Sequence, residues 1–258
     1  MEELPQLDGV TNFRELGGLR TRDGRRVRTR ALFRSSHWGR ASDADVGIQA
    51  QLGIGVVLDF RSAHDIDLEG PDRLAPGVEC IALPTGDPAS ANDVRTLIKE
   101  GNLETLHEHF GGDRAHAYMR QGAAAMVKER NDSFAGFLQH LAKPDCPAAL
   151  FHCSAGKDRA GWAASCVLIA LGVELDDVID HYLVSNDTYD PFKQGVWSDK
   201  NAELAALLEP LAKVRPEYAE ASIAAACEEW GDLDHYFRDG LGLTDAMREQ
   251  LRRNWLEG

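Results

Sequence analysis

One segment of the chain carries residue types whose spacing can do covalent chemistry: Phe151-His152-Cys153-Ser154-Ala155-Gly156-Lys157-Asp158-Arg159-Ala160-Gly161. It follows a short apolar run at 148–152 that reads as a strand. An apolar run that reads as a helix, from about 159 to 171, comes after it. In such a strand-to-helix loop the backbone N–H groups of Ser154 through Arg159 can curl round one point, forming an anion nest at a helix N-terminus. Gly156 permits the tight curl. Arg159, the sixth residue after Cys153, can return to the rim and grip two oxygens of a tetrahedral oxyanion in a fork. Cys153 then lies at the bottom of the cup, with Ser154, Ala155, Gly156, Lys157 and Asp158 lining it. Cysteines at helix ends with several N–H donors fall from a pKa of about 8.5 to between about 3.5 and 7.5. A thiolate at the centre of a phosphate cradle is a nucleophile for phosphorus, and its product is a phosphocysteine.

Other chemistries do not fit the segment. A nucleotide-binding glycine loop would need Gly where Phe151 stands and Ser or Thr where Asp158 stands. No C-x-x-C pair offers a zinc site, and no G-x-S-x-G elbow occurs. No metal or cofactor is expected. A buried structural cysteine in a turn would leave the charged triplet 157–159 without a reason.

The elements that must position this loop are legible around it. Strands are expected at 31–33, 54–60 and 78–83, and a loop at 85–92 from Gly86, Asp87, Pro88 and Asn92. Ser42 and Asp45 make a capping box for a helix ending at Gly53. Helices are expected at 114–129, 133–141, 176–185, 200–211, 217–230, 233–237 and 244–256, the last capped by Thr244. The fold class is α/β, with a small, mostly parallel sheet flanked by helices and an all-helical C-terminal half. Residues 1–258 read as one domain.

The 258 residues hold 28 Lys+Arg against 42 Asp+Glu, a net charge of -14. Such a surface disfavours nucleic acid and anionic membranes as partners, but leaves room for a locally basic pocket. The longest uncharged run, 160–173, is too short to span a bilayer. No signal peptide is visible at the N-terminus, and five irregularly spaced cysteines argue against a disulfide framework. A cytoplasmic location is the default.

The loop resembles the active-site loop of the protein-tyrosine phosphatase superfamily, and its G-K-D-R form is similar to that of the atypical bacterial tyrosine/serine phosphatases. The likeness extends over essentially the whole chain: G-V-T-N-F-R-E-L-G-G at 9–18, L-F-R-S-S at 32–36, L-D-F-R-S at 58–62, Y-L-V-S-N-D at 182–187, and R-P-E-Y and Y-F-R-D-G within 215–240. The resemblance implies that Cys153 is the nucleophile and that Arg159 binds the phosphoryl group. It places a general acid in the loop after the strand that precedes a long helical insertion, here Asp87, with Asp93 and Asp158 as competitors. It implies phosphotyrosine as the protein substrate, with Ser/Thr and phosphoinositide activity alongside. Lys157 gives this breadth a physical reason, since a second cation can meet a second phosphate. A helical lid is implied at about 186–214, with Phe192 and Trp197 as substrate-facing aromatics and an ordinary core helix as the rival reading. Some relatives are exported without a visible signal peptide, which leaves secretion open.

Ala160 stands where the family has Ser or Thr, whose hydroxyl helps the cysteine leave. This implies slow breakdown of the phosphocysteine. Two rival functions follow from these departures: an inositol phosphate or phosphoinositide phosphatase, favoured by Lys157, and a slow phosphate-ester binding module, favoured by Ala160. A sulfurtransferase fits the cationic loop less well. His152 is expected to brace the loop backbone, with direct contact to the thiolate as the alternative. Asp158 either orients its cationic neighbours, moves a proton or makes a structural ion pair. The pairs Phe13-Arg14, Phe33-Arg34 and Phe60-Arg61 read first as arginines that meet Asp59 or nearby carboxylates and pin loops. The rival is a raised potential at the ligand end of the sheet. Cys146 or Cys166 could resolve an oxidised Cys153, though inert buried thiols are the simpler reading.

Overall fold

A computed structural model of the chain describes residues 4–86, 97–98, 102–188 and 202–258. Its elements run β1 (Arg14–Glu15), β2 (Arg26–Val27), β3 (Leu32–Ser35), α1 (Asp43–Gln51), β4 (Ile54–Asp59), α2 (Ala63–Glu69), β5 (Glu79–Ala82), α3 (Leu103–Phe110), α4 (Arg114–Glu129), α5 (Asn131–Leu141) and β6 (Ala148–His152). Then follow α6 (Arg159–Leu171), α7 (Leu175–Leu183), α8 (Ser185–Thr188), α9 (Ala202–Ala212), α10 (Pro216–Trp230), α11 (Leu233–His235), a π-helical turn (Tyr236–Gly240), α12 (Asp245–Trp255) and β7 (Leu256–Glu257).

The main sheet has the order β1-β3-β6-β4-β5. Its inner pairings, β3 with β6, β6 with β4 and β4 with β5, are parallel, and only β1 runs antiparallel. The expected mostly parallel sheet is thus present. The alternation of side chains across each strand sends Leu32, Val56, Leu58, Ala149 and Phe151 to one face and Phe33, Val57 and Leu150 to the other. The first face packs under α5, α6 and α12; the second packs with Trp38 and the apolar side of α1. A separate apolar cluster holds α3, α4, α9 and α10 together with Tyr182 of α7.

Helix α6 is apolar on every side because it is enclosed on every side; all of its residues but Ile169 are buried. This places its N-terminus at the end of the central strand β6, where parallel strands present ligands.

Three corrections to the sequence expectations follow. Helices α2 and α3 were not expected, although Ser62 caps the one and Asn102 the other. The helix expected at 233–237 is three residues long and then widens into the π turn. The C-terminal half is not purely helical, because β7 pairs antiparallel with β2. Phe192, Trp197, Asp87 and Asp93 lie outside the described residues.

Candidate active site

The loop 153–158 is shaped from outside, through its carbonyls. Cys153 C=O lies 3.3 Å from His152 Nδ1. Ser154 C=O accepts the His37 backbone N–H at 3.1 Å. Ala155 C=O accepts Asn12 Nδ2 at 3.1 Å, and Gly156 C=O accepts the same amide at 2.9 Å and Arg34 Nη2 at 2.7 Å. Lys157 C=O accepts Arg34 Nη2 at 3.1 Å. Five successive carbonyls therefore face donors outside the loop. In a planar trans peptide the N–H points opposite to the C=O, so the N–H groups that follow them face the inside of the curl. Such a row of N–H groups is an anion nest.

Gly156 is the residue that makes the curl close. Its φ is +68°, and a Cβ there would overlap the backbone carbonyl of Ser35. Asn12 braces the loop from the left-handed region itself, with φ 56°. Its Oδ1 accepts from Arg14 and from Thr188 Oγ1, which fixes its Nδ2 as the donor to the loop.

Arg159 closes the ring. Its Nη1 donates to Asp65 Oδ2 at 2.8 Å, to Thr85 C=O at 3.1 Å and to Phe60 C=O at 3.2 Å, while Nη2 meets Ser154 Oγ at 3.1 Å. Burial penalises the Asp65 carboxylate, but Arg159 and the Ser62 N–H outweigh it and hold its pKa at about 2. Cys153 and Arg159 are both buried, at 2% and 0% exposure.

Behind Cys153 lies a charged network. His152 Nε2 sits 2.9 Å from Asp72 Oδ2. Both ring nitrogens of His152 face acceptors, Asp72 Oδ2 and Cys153 C=O, an arrangement that favours the protonated, charged ring. Burial works against that charge, yet Asp72 and Asp59 together raise the pKa above its ordinary value. Arg61 bridges Asp59 and Asp72 at 2.9 Å each. Asp59, Asp72 and His152 have the donor types of a metal site and lie close enough to share an ion. The Arg61 guanidinium already stands among the same oxygens and supplies the positive charge there.

The strand β6, the anion-shaped loop and the returning arginine have a sequence counterpart. The sequence profile of the tyrosine phosphatase family matches residues 5–257. The chain belongs to that family. It is 36% identical, over 97% of its length and 88% of the relative's, to a Cupriavidus necator protein that is a tyrosine-protein phosphatase by name. It is 28% identical to the triple specificity protein phosphatase PtpB of Mycobacterium tuberculosis, over 96% of this chain and 97% of that one. A tyrosine-protein phosphatase of Nostoc commune shares 26% identity over 86% of this chain and 73% of its own. Among solved structures, TpbA of P. aeruginosa matches 78% of this chain and 90% of its own at 15% identity, with a TM-score of 0.30, too loose a likeness to assign any residue.

Within this family member the expected site residues are distributed as follows. Cys153, Ser154, Ala155, Gly156 and Arg159 share the loop and its rim. Lys157 is turned away: its Nζ donates to Leu211 C=O at 2.7 Å, at the end of α9, and lies 3.3 Å from Asp158. Asp158 also lines a cavity of about 30 Å³ with Gly161, Trp162, Tyr182 and Tyr218. His152 braces the loop backbone as expected. The three Phe-Arg pairs divide. Arg61 meets carboxylates, whereas Arg14 and Arg34 hold the loop and its Asn12 brace.

Asn12, Asp65 and Asp72 were not among the expected site residues. The signal for Asp65 was present, since Ser62 and Asp65 repeat the S-x-x-D spacing of Ser42 and Asp45. Asp72 has no local signature. Cys166 is buried and its thiol is pushed well up by that burial; burial likewise lifts Cys146 to about 11. Shifts in this direction favour the unreactive thiol form at both positions.

Proposed function

We propose that the chain is a metal-independent phosphomonoester hydrolase, a protein-tyrosine phosphatase that acts through a phosphocysteine. The observation that carries this reading is the set of outward-held carbonyls from Cys153 to Lys157, which turns the loop's N–H groups toward one point above Cys153, with Arg159 fixed at the rim.

In the first step the Cys153 thiolate attacks phosphorus, an S–P bond forms and the bond to the ester oxygen breaks. The loop N–H groups and the Arg159 guanidinium take the charge on the equatorial oxygens. Asp87 is the proposed acid that protonates the departing phenolate oxygen, a contribution of about 10²–10⁴-fold. Thr85, two residues before it, accepts a hydrogen bond from Arg159, which supports placing the acid in this segment. In the second step Asp87 takes a proton from water, the water oxygen attacks phosphorus, the S–P bond breaks and inorganic phosphate leaves.

Breadth beyond phosphotyrosine is supported by the name of the mycobacterial relative, a triple specificity protein phosphatase; phosphoserine/threonine and phosphoinositides are the further substrates we propose. Lys157 would meet a second phosphate only by leaving the Leu211 carbonyl.

The test is phosphate release from a phosphotyrosine peptide in EDTA, comparing wild type with Cys153→Ser. Release by wild type alone is the expected result. Release by both, or by neither, overturns the reading.

A further inference from the structure

Arg34 is fully buried on β3, directly behind the loop. Its hydrogen-bond partners are the neutral carbonyls of Gly156 and Lys157. Among the described residues no carboxylate lies within ion-pair distance of it, in contrast to Arg61 and Arg159. Its Nε and Nη1 have no hydrogen-bond partner. Arg14 repeats the pattern, with Asn12, His181 C=O and Ser185 Oγ as its partners. An ionised group buried without a counter-ion is strongly destabilising. A fold that keeps two guanidinium groups in this state has its balancing negative charge elsewhere.

Building on the phosphocysteine reading, we propose that Arg34 is a positioning residue that supplies the buried counter-charge for the Cys153 thiolate and for the bound phosphoryl anion. It holds the Gly156 and Lys157 carbonyls outward with the same Nη2 that carries part of its charge. It therefore shapes the nest and polarises its floor from behind, where Arg159 acts from the rim.

The surrounding charges agree. Burial pulls the Arg34 pKa down to about 10, and Cys153 is the strongest of the charges that pull it back up. That attraction is mutual, so Arg34 favours the thiolate over the thiol. The other groups around the loop are Arg159 with Asp65 at the rim, Lys157 paired with Asp158 on the loop, and His152 among Asp59, Asp72 and Arg61, where the two carboxylates favour its protonated form. His181 sits near Arg14 and Arg34, and burial first, then those two charges, hold it neutral. Tyr182 and Asp158 also act on Arg34, each more weakly than Cys153; burial pushes the Tyr182 hydroxyl well up, which keeps it neutral, and Asp158 lies 3.3 Å from Lys157, so the thiolate and the substrate anion are the principal balancing charges for Arg34.

The test is the pH dependence of Cys153 alkylation by iodoacetamide, read at the Cys153 peptide by mass spectrometry, for wild type, Arg34→Gln and Arg34→Lys. Gln keeps a donor toward the loop carbonyls and removes the charge; Lys keeps the charge and loses the fork. The expected result is a titration midpoint about one pH unit higher in Arg34→Gln, which is about tenfold less thiolate below the midpoint, and recovery of most of the shift in Arg34→Lys. Inorganic phosphate should protect Cys153 from alkylation less well in Arg34→Gln than in wild type. A midpoint in Arg34→Gln equal to wild type overturns the proposal, as does an equal shift in both variants. If circular dichroism shows that Arg34→Gln does not fold, Arg34→Lys decides alone: a wild-type midpoint supports the counter-charge, and a raised one overturns it. Alkylation needs no turnover, so this result and the phosphate-release result fail independently.

Discussion

Asp65 Oδ2 lies 2.8 Å from Arg159 Nη1, and the same oxygen accepts the backbone N–H of Ser62 at 3.0 Å. One carboxylate thus starts helix α2 and aims the guanidinium at the rim of the anion loop. The local act of capping a helix and the long-range act of orienting a candidate phosphate ligand share an atom.

Removing this carboxylate should therefore damage activity more than its distance from Cys153 suggests. Asp65→Ala leaves Arg159 buried without that partner, at a cost of about 3–5 kcal/mol. Asp65→Asn keeps the shape, and its kcat/KM should fall about 10²-fold through misplacement of Arg159. The sign of the pH effect is set by a folded pKa of about 2, below the ordinary carboxylate value of 3.8. Stability from this group is present above the unfolded value and is lost as pH falls through the folded one. Acid unfolding curves should show wild type ahead of Asp65→Asn at pH 5, with the gap closing toward pH 2. Parallel curves would contradict this.

The pair His152 and Asp72 acts at the other end of the pH scale. The folded pKa of His152 is raised, so its stabilisation is complete below the unfolded value of about 6.5 and is lost as pH rises through the folded value. Melting temperature should decline with rising pH through that range in wild type. In Asp72→Asn the decline should flatten, because the charge that retains the proton is gone. A slope unchanged by Asp72→Asn would remove His152 as its source.

Gly156→Ala should disable the loop without touching any charged group. The new Cβ has to occupy a φ of +68° and the space of a strand carbonyl, and neither yields to a side-chain rotation. A loss of about 1 kcal/mol or more is expected, together with loss of phosphate and vanadate binding. Isothermal titration with vanadate checks this; wild-type affinity would show that the curl does not depend on Gly156.

With no hydroxyl at position 160, breakdown of the proposed phosphocysteine is expected to be the slow step. It is fully buried next to Arg159. Rapid-quench kinetics with an aryl phosphate should show a burst of phenol in wild type, and Ala160→Ser should shrink the burst and raise the steady-state rate. Linear release from the first turnover in wild type would place the slow step earlier.

How much of this was legible in the sequence depends on distance along the chain. The loop and its flanking elements were, because strand, nest, glycine and helix all lie within residues 148–171 and β6 and α6 start and stop as their patterns say. Ser42 with Asp45 and Thr244 were equally plain, since a cap is a three-residue matter. The braces were not. Asn12 reaches Ala155 and Gly156, and Asp72 reaches His152, across separations that leave no periodic trace. Arg34 shows the limit most clearly: an aromatic–arginine pair looks the same in sequence whether the arginine meets a carboxylate, as Arg61 does, or a carbonyl.

The braces of the loop come from residues 143, 144, 122 and 94 positions away. Contacts of that span are slow to form, because a long stretch of chain has to be ordered before they are rewarded. The nest is therefore expected to be completed late in folding, after the helices that dominate a circular dichroism spectrum. A preparation can be full-length and helical and still contain chains in which Cys153 is an ordinary thiol. Counting the fraction of Cys153 that reacts as a thiolate at mildly acidic pH would measure how many molecules have completed their long-range contacts, and so turn one side chain into a quality assay for the whole fold.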